Sequence, residues 1–173
     1  MSTAGTDLEG SAGAVLVRSG REDLGPLVAE ALAAARQAYA PYSRFQVGAV
    51  VVTDAGRHFA GCNVENVSYP LGTCAERDAL AAYVLGRDTG EQIETLTLVA
   101  IQDGPEGPKP VACSPCGACR QAILELGPGS EVSFLWGSPL TVVTARAPEL
   151  LPKAFDFEAT PDAGPASTPG MPE

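Results

Sequence analysis

Residues 114–121 read SPCGACRQ. Cys116 and Cys119 stand three apart, and Cys113 stands three residues before Cys116. What precedes and follows this stretch decides how it folds. Before it, IETLTLVAIQ (93–102) has the apolar density of a buried strand, and DGPEGPKPVACSP (103–115) is a Gly/Pro-rich loop. From Cys116 to Leu126 the pattern is helical, and two shorter strands follow, Val132–Leu135 and Leu140–Thr144. The cysteine pair therefore opens a helix that follows a strand and a loop. In open α/β sheets such crossovers are where ligand sites lie.

The upstream half repeats this grammar. PLVAEALAAARQAYA predicts a helix over Pro26–Ala40, with proline at its head. APYSRF breaks it, because proline disfavours helix in the residue before it. QVGAVVVTDAG (46–56) and RHFAGCNVEN (57–66) read as two strands of a hairpin. CAERDALAAYVLGR then predicts an amphipathic helix starting near Thr73 or Cys74, and PELLPKAF (148–155) a brief final one. The order is helix, hairpin, helix, strand, helix, strand, strand, helix. The expected fold is a three-layer α/β/α sandwich with a mixed, roughly five-stranded sheet. Residues 1–25 read as an N-terminal extension, 26–157 as the folded domain, and 158–173 as a disordered proline-rich tail.

Composition narrows the function. The chain has 173 residues, 45% of them apolar, which suits one domain with a hydrophobic core. Its 11 basic residues face 21 acidic ones, for a formal charge of −10. That balance repels phosphate backbones and argues against a nucleic acid polymer as partner, whereas a small neutral substrate meets no such repulsion. No apolar run is long enough for a membrane span, and the first residues lack the pattern of a secretory signal. Five cysteines, three of them within seven residues, fit metal binding in a reducing compartment better than a disulfide framework, so a cytoplasmic location is expected.

Several metal or redox sites could use these cysteines. A closed structural zinc site would take Cys74, Cys113, Cys116 and Cys119, but Cys113 precedes Pro115 and is expected to point elsewhere. A ferredoxin-like run would need a cysteine where Ile123 stands. A thioredoxin-like pair belongs near the first strand–helix unit. The remaining reading is a catalytic site with three thiolates, Cys74, Cys116 and Cys119, and an open fourth position. Cys116 and Cys119 share one face of a helix start, where the dipole favours anions. Glu76, two residues past Cys74, stands within reach of the open position without being a ligand. A cysteine, a glutamate two residues on and a distant Pro-Cys-x-x-Cys are the signature of the three-cysteine zinc deaminases.

With these motifs the sequence resembles the small, homotetrameric cytidine deaminases. The likeness runs from AYAPYSRFQVGA through GCNVENVSYPLGTCAER and SPCGACRQ to LLPKAF, most of residues 26–157. It implies one Zn²⁺ per chain. It also implies zinc-dependent hydrolytic deamination of cytidine and 2′-deoxycytidine to uridine and 2′-deoxyuridine, with release of ammonia, a step of pyrimidine salvage. By this resemblance Glu76 is the catalytic proton shuttle between the attacking water, ring N3 and the departing amino group. Arg77 hydrogen-bonds the ligand thiolates and offsets their charge. Asn63 and Glu65, alternating along an extended segment, bind the sugar hydroxyls, with Phe45 and Ala75 at the base. Tyr69 and Phe155 are implied to approach a neighbouring subunit.

Beside Cys119, Arg120 reads equally as a second thiolate partner or a solvated surface residue. Cys62 and Cys113 read as free thiols and His58 as a surface or structural residue. Two other functions fit the same residues: deamination of a related aminopyrimidine nucleoside such as blasticidin S, or a zinc-stabilised binding module without turnover. Glu76 separates the second from an enzyme, since a structural site has no need of that carboxylate.

Overall fold

The computed structural model describes residues 24–105 and 107–155. The chain runs through α1 (Leu24–Ala35), β1 (Phe45–Thr53), β2 (His58–Cys62), a single 3-10 turn (Tyr69–Leu71), α2 (Ala75–Gly86), β3 (Ile93–Gly104), β4 (Gly107–Val111), α3 (Gly117–Leu126), β5 (Glu131–Trp136), β6 (Thr141–Arg146) and the short α4 (Ala147–Leu150). The strands form one mixed sheet in the order β2-β1-β3-β5-β6, with β4 paired to β3 off that path. The β1–β2, β1–β3, β3–β4 and β5–β6 pairs are antiparallel. Only β3 and β5 run parallel, as a crossover through α3 requires.

Period-two alternation sorts β1 between two cores. Val47, Ala49 and Val51 pack with Ala79 and Leu80 of α2 and Ile123 of α3. Val50 and Val52 pack on the other face with Leu27, Val28 and Ala31 of α1. Helices on both faces of a sheet give the expected three layers. Two glycines bring the layers to backbone contact. A Cβ on Gly48 would lie 2.0 Å from the Ala31 carbonyl oxygen of α1, and one on Gly61 would lie 2.3 Å from the Ala79 nitrogen of α2.

The final helix stops at Leu150 rather than Phe155, and three larger differences separate the structure from the sequence. Helix α1 stops at Ala35 rather than Ala40. The backbone of Tyr39 instead pairs with the segment after β2, its N–H donating to Asn63 O at 3.1 Å and its carbonyl accepting from Glu65 N at 2.8 Å. Tertiary pairing overrides the alanine-rich helical preference there. Second, the Gly/Pro-rich loop contains a strand, β4, so the sheet has six strands rather than five. Pro108 and Pro110 alternate, so both can turn their missing N–H away from β3, as an edge strand allows. Third, Leu24 and Gly25, assigned to the extension, belong to α1, and Leu24 is 1% exposed against the core. The rest of the extension, residues 1–23, and the proline-rich tail lie outside the described residues.

Candidate metal centre

Cys74 and Cys116 are the N-cap residues of α2 and α3, both in extended conformation, and neither side chain caps its own helix. Their thiols are free to turn toward each other. Cys119, one turn into α3, completes a group whose three sulfurs lie within 4.8 Å of one another. The Cys74–Cys116 separation is 4.0 Å and the Cys116–Cys119 separation 3.4 Å. Zinc–sulfur bonds of about 2.3 Å at a tetrahedral angle set sulfurs about 3.8 Å apart, so the trio fits a zinc ion. Cys119 is buried, Cys74 half-buried and Cys116 exposed, which leaves one side of the cluster open to solvent. Among the described residues this is the one group of three or more histidine, cysteine or acidic side chains close enough to share a metal.

Cys113 is not part of the trio. Its backbone N–H donates to Leu135 O of β5 at 2.9 Å, so the chain still follows the sheet at that point. Its thiol contacts Ser114 O at 3.8 Å, and burial pushes it up to about 11.

Charge is unevenly shared within the cluster. Cys74 is pulled down to about 6, chiefly by the hydrogen bond from the Cys119 thiol, with Cys116 and the Arg77 guanidinium adding to it. The same bond, with burial, holds Cys119 up. Glu76 is 4% exposed. Burial raises its pKa above the usual carboxylate range, and the Cys74 charge adds to the rise. A carboxyl shifted in this direction holds a proton more readily than a free carboxylate does, which is the direction a proton shuttle needs. Arg120 does not meet the thiolates. It bonds the Pro115 and Leu150 carbonyls and the Ser114 hydroxyl.

A cleft of about 490 Å³ leads away from Cys74, lined by Tyr42, Ser43, Glu65, Tyr69 and Thr73 among others. Glu65 is held in place. One of its oxygens accepts the backbone N–H of Tyr42 at 2.9 Å and of Ser43 at 3.3 Å, and the other accepts the Ser43 hydroxyl. These bonds lower its pKa, with the Ser43 hydroxyl leading. Asn63 bridges the start of β1, its amide oxygen accepting Val47 N at 2.7 Å and its Nδ2 donating to Phe45 O at 2.9 Å. Phe45 is half-buried against the core, and Ala75 is fully buried in it at the head of α2. Tyr69, 79% exposed, stacks edge-on with Tyr42 at the cleft wall. Phe155 is 69% exposed, and Gln121 holds its backbone carbonyl at 3.0 Å.

The structure thus brings Cys74, Cys116 and Cys119 together with Glu76 beside Cys74 and Cys119. It sets Glu65 and Tyr69 along the cleft that reaches Cys74, whose lining does not include Asn63, Phe45 or Ala75. Ser43 and Tyr42, which orient Glu65, escaped sequence reasoning. They stand 22 and 23 residues from it, and no local pattern links them.

Residues 21–135 match the zinc-binding region of cytidine and deoxycytidylate deaminases. A cytidine deaminase of Sporosarcina psychrophila is 39% identical over 136 residues, which span 79% of this chain and 93% of the relative. One from Mycobacterium tuberculosis is 43% identical over 139 residues, 80% of this chain and 94% of the relative. The crystal structure of a cytidine deaminase from Burkholderia pseudomallei superposes with a TM-score of 0.63 at 42% identity, covering 76% of this chain and 98% of that one.

Proposed function

Because the chain belongs to the cytidine and deoxycytidylate deaminase family, we propose that it hydrolyses the C4 amino group of cytidine and 2′-deoxycytidine, giving uridine and 2′-deoxyuridine with ammonia. The observation that carries this reading is a buried glutamate, Glu76, beside Cys74 and Cys119 of a trio of convergent thiols with one open side.

Cys74, Cys116 and Cys119 would hold one zinc ion per chain. Bound there, zinc supplies a water acidic enough to act as nucleophile near neutral pH. Glu76 takes the proton that this water loses on attacking C4. It delivers that proton to ring N3, then takes the proton of the new C4 hydroxyl as the C4 carbonyl forms and passes it to the departing amino group, so that the C4–N bond breaks, one water is consumed and ammonia leaves. Arg77 lowers the charge felt at Cys74, which tempers the excess negative charge of three thiolates. Glu65 and Asn63 receive the sugar hydroxyls. Glu65 keeps acceptor capacity beyond its bonds to Tyr42 and Ser43, because a carboxylate offers about four lone-pair sites. Phe45 lies at the base, and Ala75 contributes through its backbone N–H, one of the unsatisfied donors of a helix start.

A fixed carboxylate in the cleft disfavours a phosphate nearby, which supports free nucleosides over nucleotides. Assembly as a homotetramer, with Tyr69 and Phe155 crossing interfaces, is supported by the exposed apolar side chains around the cleft, Tyr39, Tyr42, Val67 and Leu71 among them. Sedimentation that returned a monomer at all concentrations would remove that part. Five free cysteines support a reducing, cytoplasmic setting and a place in pyrimidine salvage.

The test is the loss of cytidine absorbance with purified protein, abolished by a zinc chelator and restored by zinc. Protein that carries zinc yet leaves cytidine unchanged would favour a non-catalytic module or another aminopyrimidine nucleoside.

A further inference from the structure

The three cysteines are anchored unequally. Cys119 is enclosed by the core, and Cys74 is half-buried at the head of α2. Cys116 is exposed, and a Cβ added to Gly117 after it would meet nothing within 4 Å. No packing over the thiol fixes Cys116, so its position depends on the backbone that leads into it. The chain is tied to β5 at Cys113, whose N–H donates to Leu135 O at 2.9 Å, and joins α3 at Cys116, whose carbonyl accepts Arg120 N–H at 2.9 Å. Between those points the Arg120 side chain grips it. Arg120 Nε donates to Pro115 O at 2.8 Å, and Nη2 donates to Ser114 Oγ at 3.4 Å. Its remaining arm, Nη1, donates to Leu150 O at 3.2 Å at the end of α4. The neighbouring Gln121 binds the Phe155 carbonyl further along the same segment.

We propose that Arg120 is a positioning residue for the metal centre: it clamps the Ser114–Pro115 approach to Cys116 against the C-terminal segment and so fixes the one ligand that packing leaves loose. The inference rests on the trio holding zinc, as argued above. A planar guanidinium can serve three acceptors in different directions at once, and an ammonium on a flexible stem cannot hold that geometry. Groups that orient a metal ligand without touching the metal are worth roughly 10–100-fold in metal affinity.

The experiment measures zinc release to a chromogenic chelator, together with melting temperatures of the zinc-loaded and metal-free full-length protein. Arg120→Ala should release zinc about 10-fold faster or more, by the same principle. The stabilisation that zinc confers, read as the gap between the two melting temperatures, should shrink. A merely structural arginine would lower both melting temperatures equally and leave release unchanged. Arg120→Lys keeps the charge and should fold while still releasing zinc several-fold faster, by the same loss of geometry. Release from Arg120→Lys at the unmutated rate overturns the proposal, whatever Arg120→Ala does. An unmutated protein that binds no zinc would instead sink the metal reading on which the proposal stands.

Discussion

The sulfurs of Cys74 and Cys116 stand 4.0 Å apart although 42 residues separate them, and each opens a different helix. A metal held between them is a tie between α2 and α3. Cys116→Ala should therefore drop zinc from about one per chain to a small fraction and lower the melting temperature at the same time. Cys113→Ser should leave the zinc content unchanged, because that thiol lies outside the trio. Metal analysis of both variants decides it, and zinc lost from Cys113→Ser would mean that a fourth thiolate closes the site.

Glu76→Gln should keep zinc and substrate binding and lose nearly all turnover. The amide has the same size but cannot accept a proton and hand it on. General acid–base catalysis is worth about 10²–10⁴-fold, and this residue moves more than one proton per cycle, so the loss belongs at or beyond the upper end. Single-turnover rates on zinc-loaded protein check it. An unchanged rate would end the mechanism.

Glu65→Gln should raise KM with zinc content intact. A lost bond to a charged acceptor costs about 1.5–3 kcal/mol, or roughly 10–150-fold in binding. The variant should also loosen Tyr42 and Ser43, whose N–H groups Glu65 accepts. If cytidine 5′-monophosphate is as good a substrate as cytidine for the unmutated protein, the role given to Glu65 is wrong.

Glu91 carries a pH prediction remote from the metal. The Thr53 hydroxyl, at 2.5 Å, and the Asp88 N–H lower its pKa below the ordinary 4.5, with Arg57 adding to them. A carboxyl depressed on folding stabilises the protein at neutral pH, and the effect is lost as pH falls below 4.5 through the folded value. Glu91→Gln should therefore melt lower than the unmutated protein at pH 7, and the difference should close in acid. Equal melting temperatures at pH 7 would show that the network around Arg57 does not need the charge.

Where a feature depends on local pattern, the sequence is a good guide. The apolar run of β1, the helix starts at Cys74 and Cys116 and the hairpin of β1 with β2 are all set by residues near one another in the chain. The misreadings share a different cause. Helix α1 ends early because Tyr39 pairs with Asn63 and Glu65, and β4 exists because β3 extends beyond β5 and leaves an edge to pair. The clamp made by Arg120 depends on Leu150, 30 residues away, and the setting of Glu65 on Ser43, 22 residues away. Such partners leave no mark on a local pattern.

Gly61 touches none of the three sulfurs, yet it sits against α2 at Ala79 and Ala75, the residue after Cys74. Even one added methyl there would meet backbone atoms of α2 at 2.3 and 2.7 Å. Either the helix or β2 must then move, and the head of α2 moves with the helix. The catalytic centre thus inherits its tolerances from a residue without a side chain. Selection for deamination chemistry would be expected to guard that emptiness as closely as it guards a ligand, and Gly61→Ala should shift zinc release as well as melting temperature.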